Sequence, residues 1–302
     1  MKRLSNVLLV AWLLVLSVLP YEFICSLDNC TEVSANKSEA KALCGAIERS
    51  YPFNSDGIRV ATYNLLANGI GYYGSRESSR AEGVCDLLQA VGADVIGLQE
   101  VSRWWLCNLK ENTPYAFVDP LRTELGGLMT VIAYNPARVN VLDYGNIALE
   151  MGSNSRLRRA VWALFVLNDS GKRFLAVNTH FNVTSGDSTA GLVQAQQLTQ
   201  LVRSLNQKYN CPVIITGDFN AKKRGAVSYC TSVVYDVLSL NMTDLRYSAK
   251  QRTSGSGRGL FSYCVDHVFT VGQVEVRRCA VLSQRELLDL SDHYLMLADL
   301  VV

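Results

Sequence analysis

From Ile58 onward, short apolar runs with strand character alternate with longer segments whose apolar residues recur at helical spacing. "IRVATYNLL" alternates and is rich in β-forming residues, which predicts a strand. "RAEGVCDLLQAVG" (Arg80 to Gly92) has helical spacing and stops at a glycine. "DVIGLQEV" is a short apolar run of the kind a buried strand shows. "LMTVIAYNPARVNVLDY" predicts a hairpin turning at Asn-Pro, and "AVWALFVLNDSGKRFLAVNTHF" a second hairpin turning at Asp-Ser-Gly. "GLVQAQQLTQLVRSLNQK" is an amphipathic helix, and "CPVIITGDFN" a buried strand running into a polar loop. "AVSYCTSVVYDVLSLN" predicts another helix; "SYCVDHVFTV", "VEVRRCAVL" and "YLMLADLVV" close the chain as strands. Hairpins and strands interleaved with about three helices predict an α/β sandwich, and the regular βαβα rhythm of a barrel or doubly wound sheet is missing.

The first residues follow a different pattern. Lys2 and Arg3 precede the apolar run Val7 to Leu19, which matches a signal-peptide core and falls short of a membrane span. Residues 1–24 therefore read as a signal peptide, with a short membrane anchor as the alternative. Residues 25–56 read as a polar extension carrying Cys25, Cys30 and Cys44, with a short helix over Ser38 to Arg49. Residues 57–302 form one domain with no internal boundary.

The 302 residues are 49% hydrophobic and 19% charged, as in ordinary globular proteins, with a net charge of +2. That balance argues against a chain held to nucleic acid by charge alone, though not against a nuclease, which must release its product. Nine cysteines without a C-x-x-C pattern fit disulfides better than structural zinc, and the odd count leaves at least one unpaired within the chain. Five glycosylation sequons, at Asn29, Asn36, Asn168, Asn182 and Asn241, agree with a secreted protein or one of the secretory lumen.

The placement of polar residues changes the picture most. Asn64 ends "VATYN", Glu100 ends "VIGLQE" and His180 ends "LAVNTH". Asp218 and Asn220 follow "VIIT", Asp266 and His267 interrupt "YCVDHVF", and Asp292 and His293 precede "YLMLADL". Singly, a strand-end Asp or Asn makes a turn. Six such ends carrying all three histidines of the chain are poorly explained by six independent turns. Carboxylates near a core are costly unless paired or metal-bound, and one shared site removes that cost. Oxygen donors of this kind suit Mg2+, Mn2+ or Ca2+. A histidine with an aspartate partner suits proton transfer to or from water, so the set points to metal-assisted phosphoester hydrolysis.

The ordered motifs "TYNLL", "GLQEV", "NTHF", "GDFN", "VDHVF" and "SDHYLM" resemble the endonuclease/exonuclease/phosphatase superfamily over residues 57–302. The resemblance implies a four-layer αββα sandwich of two packed mixed β-sheets flanked by helices. It implies Glu100 as the main metal ligand, Asn64 as a second ligand or its positioner, and Asp292 on the metal side. Asp218 and Asn220 would orient the nucleophilic water and hold phosphate or metal. His293 would be the general base or acid, oriented by Asp266, and His180 a phosphate contact or proton donor. Arg158, with Arg159 as runner-up, matches a phosphate-binding arginine, and His267 reads as structural, with a substrate-side contact as the alternative. Comparison with deoxyribonuclease I also suggests a Cys230–Cys264 disulfide.

The expected substrate is a phosphoester, first DNA or RNA cleaved by a secreted, monomeric endonuclease without a protein partner. Arg156, Arg158, Arg159, Lys222, Lys223 and Arg224 would track its phosphate backbone. A membrane lipid is the alternative, with Trp104 and Trp105 as interfacial anchors. A sugar or inositol phosphate is the third, and an inactive binding module the reading from another class.

Overall fold

In the computed structural model, residues 37–52, 57–67, 77–118, 129–150, 157–182, 189–221, 232–248, 265–284, 287 and 289–302 are described. The helices are α1 (Lys37–Ser50), α2 (Glu77–Val91), α3 (Arg103–Asn112), α4 (Thr189–Tyr209), α5 (Ser232–Ser239) and α6 (Leu245–Ser248). The strands are β1 (Ile58–Asn64), β2 (Val95–Val101), β3 (Ala116–Val118), β4 (Met129–Tyr134), β5 (Val139–Leu149) and β6 (Arg158–Leu167). They continue with β7 (Arg173–His180), β8 (Val213–Asp218), β9 (Thr243–Asp244), β10 (Asp266–Val271), β11 (Glu275–Val281) and β12 (Met296–Val301). Two six-stranded sheets run in the orders β11-β12-β1-β2-β4-β3 and β5-β6-β7-β8-β10-β9. Each is mixed: β1 pairs parallel with β2, and β7 parallel with β8, amid antiparallel neighbours.

The layers follow from residue parity, since successive side chains on a strand face opposite ways. On β6, Val161, Ala163 and Phe165 belong to the larger core cluster, whereas Ala160 and Leu164 belong to the second. The second cluster unites the outer face of that sheet with Ala195, Leu198, Val202 and Leu205 of α4 and with Val234 and Leu238 of α5. The larger cluster joins the intersheet interior to apolar residues of α2 and α3, and Ile47 of α1 is buried in it. The expected αββα sandwich is thus the observed fold.

Between the sheets runs a buried polar seam. Gln99 Nε2 donates to Thr62 Oγ1 at 3.0 Å and to Asn178 Oδ1 at 2.8 Å. Asn178 Nδ2 donates to the Leu98 and Val131 carbonyls across the interface. Gly97 makes this approach possible, because a Cβ there would stand 2.1 Å from Thr216 Oγ1 and 2.6 Å from Asn178 Oδ1.

Two expectations change, and a third is described only in part. Asn-Pro does not turn a hairpin: β4 pairs with β2 and β3, and β5 pairs with β6 in the other sheet. A turn signal marks where the chain bends, not which strand it then meets. "RWWLCNLKEN" is helix α3, capped by Ser102, whose Oγ accepts from Trp105 N at 3.1 Å. Trp105 is fully buried and Trp104 packs against the core, so this pair is no membrane anchor. The helix expected over "AVSYCTSVVYDVLSLN" is present as Ser232–Ser239, and residues 226–231 lie outside the described residues.

Among the described cysteines, Cys107 is disulfide-bonded, while Cys44, Cys85, Cys211 and Cys279 are free. The last three are buried and serve as small apolar core residues. Cys230 and Cys264 lie outside the described residues, as do residues 1–24. No described helix is long and apolar enough to cross a membrane.

Candidate active site

The two parallel strand pairs place their C-terminal ends on the same side of the sandwich. In one sheet, register sets His180 beside Asp218 and Asp218 beside Asp266 on three adjacent strands. In the other, Asn64 and Glu100 close β1 and β2, and the Ser291–His293 segment enters β12 beside them. Asn64 ties the halves together through Asp218 and is held within its own half by Glu100 and Ser291. Asn64 Nδ2 donates to Asp218 Oδ2 at 3.1 Å and reaches Glu100 Oε1 at 3.4 Å, and Ser291 Oγ donates to the Asn64 carbonyl at 2.6 Å.

The backbone is bent where the side chains converge. Leu66, Glu100 and Asn220 have φ of +55°, +56° and +48°, in the left-handed region that L-residues rarely adopt. The β2–β4 ladder breaks between Leu98 and Val101, and this irregularity carries Glu100. Glu100 Oε2 then accepts from Ala67 N at 2.9 Å, while Asn64 Oδ1 accepts from Leu66 N at 3.0 Å. Asn220 N donates to Asp218 Oδ1 at 3.0 Å, and Asn220 Nδ2 to the Phe181 carbonyl at 2.9 Å.

Asp218 is the hub. It is 2% exposed, lies 3.5 Å from His180 Nε2 and 3.7 Å from His293 Nε2, and accepts from Asn64 and Asn220. Burial, reinforced by the charge of Asp266, pushes its carboxyl up to about 7, against the opposing pull of His293 and the two asparagine donors.

The two histidines differ. His293 Nδ1 lies 2.9 Å from Asp266 Oδ2. Burial alone would lower the pKa of this imidazole, but the carboxylates of Asp266, Asp218 and Asp292 outweigh it and raise it well above the usual value. His180 Nδ1 instead faces Arg158 Nη1 at 2.9 Å. A guanidinium can only donate, so His180 Nδ1 accepts and the proton of the neutral ring sits on Nε2, toward Asp218. Arg158 Nε also donates to Asn182 Oδ1 at 3.0 Å, and Arg159 Nη1 to Asn146 Oδ1 at 2.7 Å. Asn182 is 5% exposed and part of this cluster, so a glycan there is incompatible with the folded site.

His267 is separate: Nδ1 lies 2.9 Å from Asp244 Oδ2 and Nε2 3.0 Å from the Ala221 carbonyl, beneath the Asp218–Asn220 turn. Arg156 and Lys222 to Arg224 lie outside the described residues.

The donor set fits a hard divalent cation. Asp266 Oδ1 and Asp292 Oδ1 are buried without a hydrogen-bond partner. Burial raises the Asp292 carboxyl; His293 opposes this and Glu100 adds to it, as expected where acidic groups share space a cation would fill. Ligand atoms of Asp218, Asp266 and His293 lie within 4.8 Å of one another. A protonated His293 is a poor ligand, which leaves the carboxylate oxygens of Asp218 and Asp266 as the donors of that cluster.

Sequence reasoning missed Arg158 as a partner of His180, and Asn182 beside it. It also missed Arg80, which donates to the main chain on both sides of the site. Asn182, two residues past His180, was the available signal for the first; Arg80, at the start of a predicted helix, offered none.

The model of the Endonuclease/Exonuclease/phosphatase family matches residues 61–293. A Bacteroides vulgatus endonuclease/exonuclease/phosphatase superposes with a TM-score of 0.70 at 24% identity, covering 81% of this chain and 98% of that one. A mannosyl-6-phosphatase of Bacteroides thetaiotaomicron gives 0.69 at 23%, covering 81% and 100%. TDP2 of D. rerio, complexed with single-strand DNA product, gives 0.63 at 18%, covering 81% and 99%. No curated protein sequence matches the chain.

Proposed function

The chain belongs to the Endonuclease/Exonuclease/phosphatase family, and we propose that it is a divalent-metal-dependent phosphoester hydrolase whose attacking water is activated at Asp218. The observation that carries this reading is the position of Asp218, which stands 3.5 Å from His180 Nε2 and 3.7 Å from His293 Nε2 and accepts from Asn64 across the two sheets. A carboxylate so placed orients the attacking water and accepts its hydrogen bond. His293, held protonated by Asp266, neutralises charge developing on the phosphate oxygens or protonates the leaving oxygen. His180 donates its Nε2 proton to a phosphate oxygen. Glu100 and Asp292, with Asp218, would hold Mg2+ or Mn2+, which would polarise the phosphoryl group.

The substrate we favour is a nucleic-acid phosphodiester, met along the secretory route that the basic, apolar leader supports. A second reading, a soluble phosphomonoester such as a sugar phosphate, is favoured by Arg158 and Arg159. Their guanidinium groups bind Asn182, His180 and Asn146 within the fold, which suits a short substrate better than a long phosphate track. The lipid reading loses its main support with Trp105 buried.

The test is hydrolysis of DNA, RNA, sphingomyelin and sugar phosphomonoesters with Mg2+ or Mn2+. His293→Ala should lose about 10²- to 10⁴-fold in rate. Equal activity in the variant refutes the mechanism; cleavage of monoesters alone reverses the substrate order.

A further inference from the structure

On helix α2, Glu77, Arg80 and Gly83 recur at three-residue spacing and so share one face. That face meets all three segments that bring in the carboxylate and amide groups of one half of the site. Arg80 is 3% exposed and donates from Nη1 to the Leu65 carbonyl at 2.7 Å and the Leu290 carbonyl at 2.5 Å, and from Nη2 to the Leu66 carbonyl at 2.6 Å. Leu65 and Leu66 follow Asn64 directly, and Leu290 lies two residues before Asp292. Gly83 seats the Leu290 side chain, for a Cβ there would lie 2.6 Å from Leu290 Cδ2. Glu77 Oε2 accepts from Ser102 Oγ at 2.9 Å, two residues past Glu100. The Arg80 guanidinium also lies 5.3 Å from the Trp105 ring, in the helix that Ser102 caps.

We propose that Arg80, with Glu77 and Gly83 on the same face of α2, is the positioning element of the cation-binding half of the site, fixing the segments that bear Asn64, Glu100 and Asp292 relative to one another.

A buried guanidinium bound only to neutral carbonyls is an expensive way to hold a core together. Packing alone would be served by leucine or methionine. What the fork supplies is direction: two nitrogens in one plane reach three carbonyls on two separate segments, which a lysine ammonium on its single Nζ cannot reproduce. The positive charge also lies in the field of Asp292 and Glu100, so it offsets the repulsion between carboxylates drawn together for a cation.

The experiment is Mn2+ binding to the full chain by titration calorimetry, for Arg80→Lys and Gly83→Val, with thermal melts as the control for folding. Both variants keep every proposed ligand. Arg80→Lys should weaken Mn2+ binding about 10- to 100-fold, the range for losing a group that orients a metal ligand. Gly83→Val, which leaves Arg80 in place and presses on the Leu290 side chain, should weaken it in the same direction by a smaller factor. Activity, where present, should recover at saturating Mn2+, moving the metal dependence more than kcat. Unchanged Mn2+ affinity in either folded variant, with only a lower melt, overturns the proposal, as does a wild-type chain that binds no Mn2+. If Arg80→Lys does not fold, Gly83→Val decides alone. The activity arm rests on the hydrolase reading, but binding does not: a wild-type chain that binds Mn2+ and hydrolyses nothing sinks that reading and leaves this one decided by affinity.

Discussion

Asp266→Asn isolates the group that separates His293 from an ordinary strand-end histidine. The substitution conserves volume and removes one charge. It replaces the acceptor 2.9 Å from His293 Nδ1 with an amide that can accept but no longer holds the imidazole protonated. Asp266 is 2% exposed and the His293 side chain 17%, so water replaces little of what is lost. A hydrogen bond to a charged group contributes about 1.5–3 kcal/mol. At about 1.36 kcal/mol per tenfold in rate, its loss in the transition state corresponds to roughly 10- to 150-fold in kcat. The sign on pH is also fixed. Asp266 is foremost among the carboxylates that raise His293, so its removal lowers that pKa, and activity should fall off at a lower pH on the alkaline side than in the wild-type chain. The assay is kcat against pH at saturating Mg2+ on whichever phosphoester the hydrolysis panel selects, beside His293→Ala. A loss as large as that of His293→Ala would mean that Asp266 acts on more than His293. Full activity with an unmoved pH profile would refute the assignment of the pair.

Gly97→Ala forces a Cβ to 2.1 Å from Thr216 Oγ1 inside the intersheet seam, so it should destabilise by about 1–3 kcal/mol or more, read as a lower melting temperature; an unchanged melt would show that the sheets can part there. His267 has a raised pKa: burial lowers it, but the charge and hydrogen bond of Asp244 prevail against burial and Arg246. A raised histidine stabilises fully below its unfolded value of about 6.5 and loses that contribution as pH climbs through the folded value. The melting-temperature gap between the wild-type chain and His267→Asn should therefore narrow with rising pH, and a gap constant with pH would contradict an imidazolium at this position.

Much of the site was legible because strands are short and their ends are punctuated. "NTHF", "GDFN" and "VDHVF" each set a titratable group at the edge of an apolar run, and register then aligned His180, Asp218 and Asp266 across three strands. Asn64, Glu100, Asp292 and His293 followed by the same logic in the other sheet. Strand partnership was less legible. Asn135-Pro136 carries the turn chemistry of a hairpin, yet β4 and β5 part to different sheets, since partners are chosen by the apolar faces they meet. Helix α3 was overlooked because its tryptophans drew a surface reading; Ser102, three residues before Trp105, was the local cap signal.

What no local pattern could supply is the state of each histidine. His180 and His293 both sit at the margin of a β-strand, and both aim Nε2 at Asp218 from nearly equal distances. They differ only in what stands behind the ring. Asp266 accepts from the Nδ1 of His293 and holds it cationic; Arg158 donates to the Nδ1 of His180 and holds it neutral. Those partners lie 27 and 22 residues away in the chain, on neighbouring elements. A single aspartate between them thus meets one proton donor of fixed tautomer and one imidazolium, an asymmetry suited to binding a phosphate oxygen on one side and managing a proton on the other. Exchanging the two partners would leave both histidine motifs, "NTHF" and "SDHYLM", intact and reverse the chemistry, which is why a histidine's own motif assigns the residue but not its role.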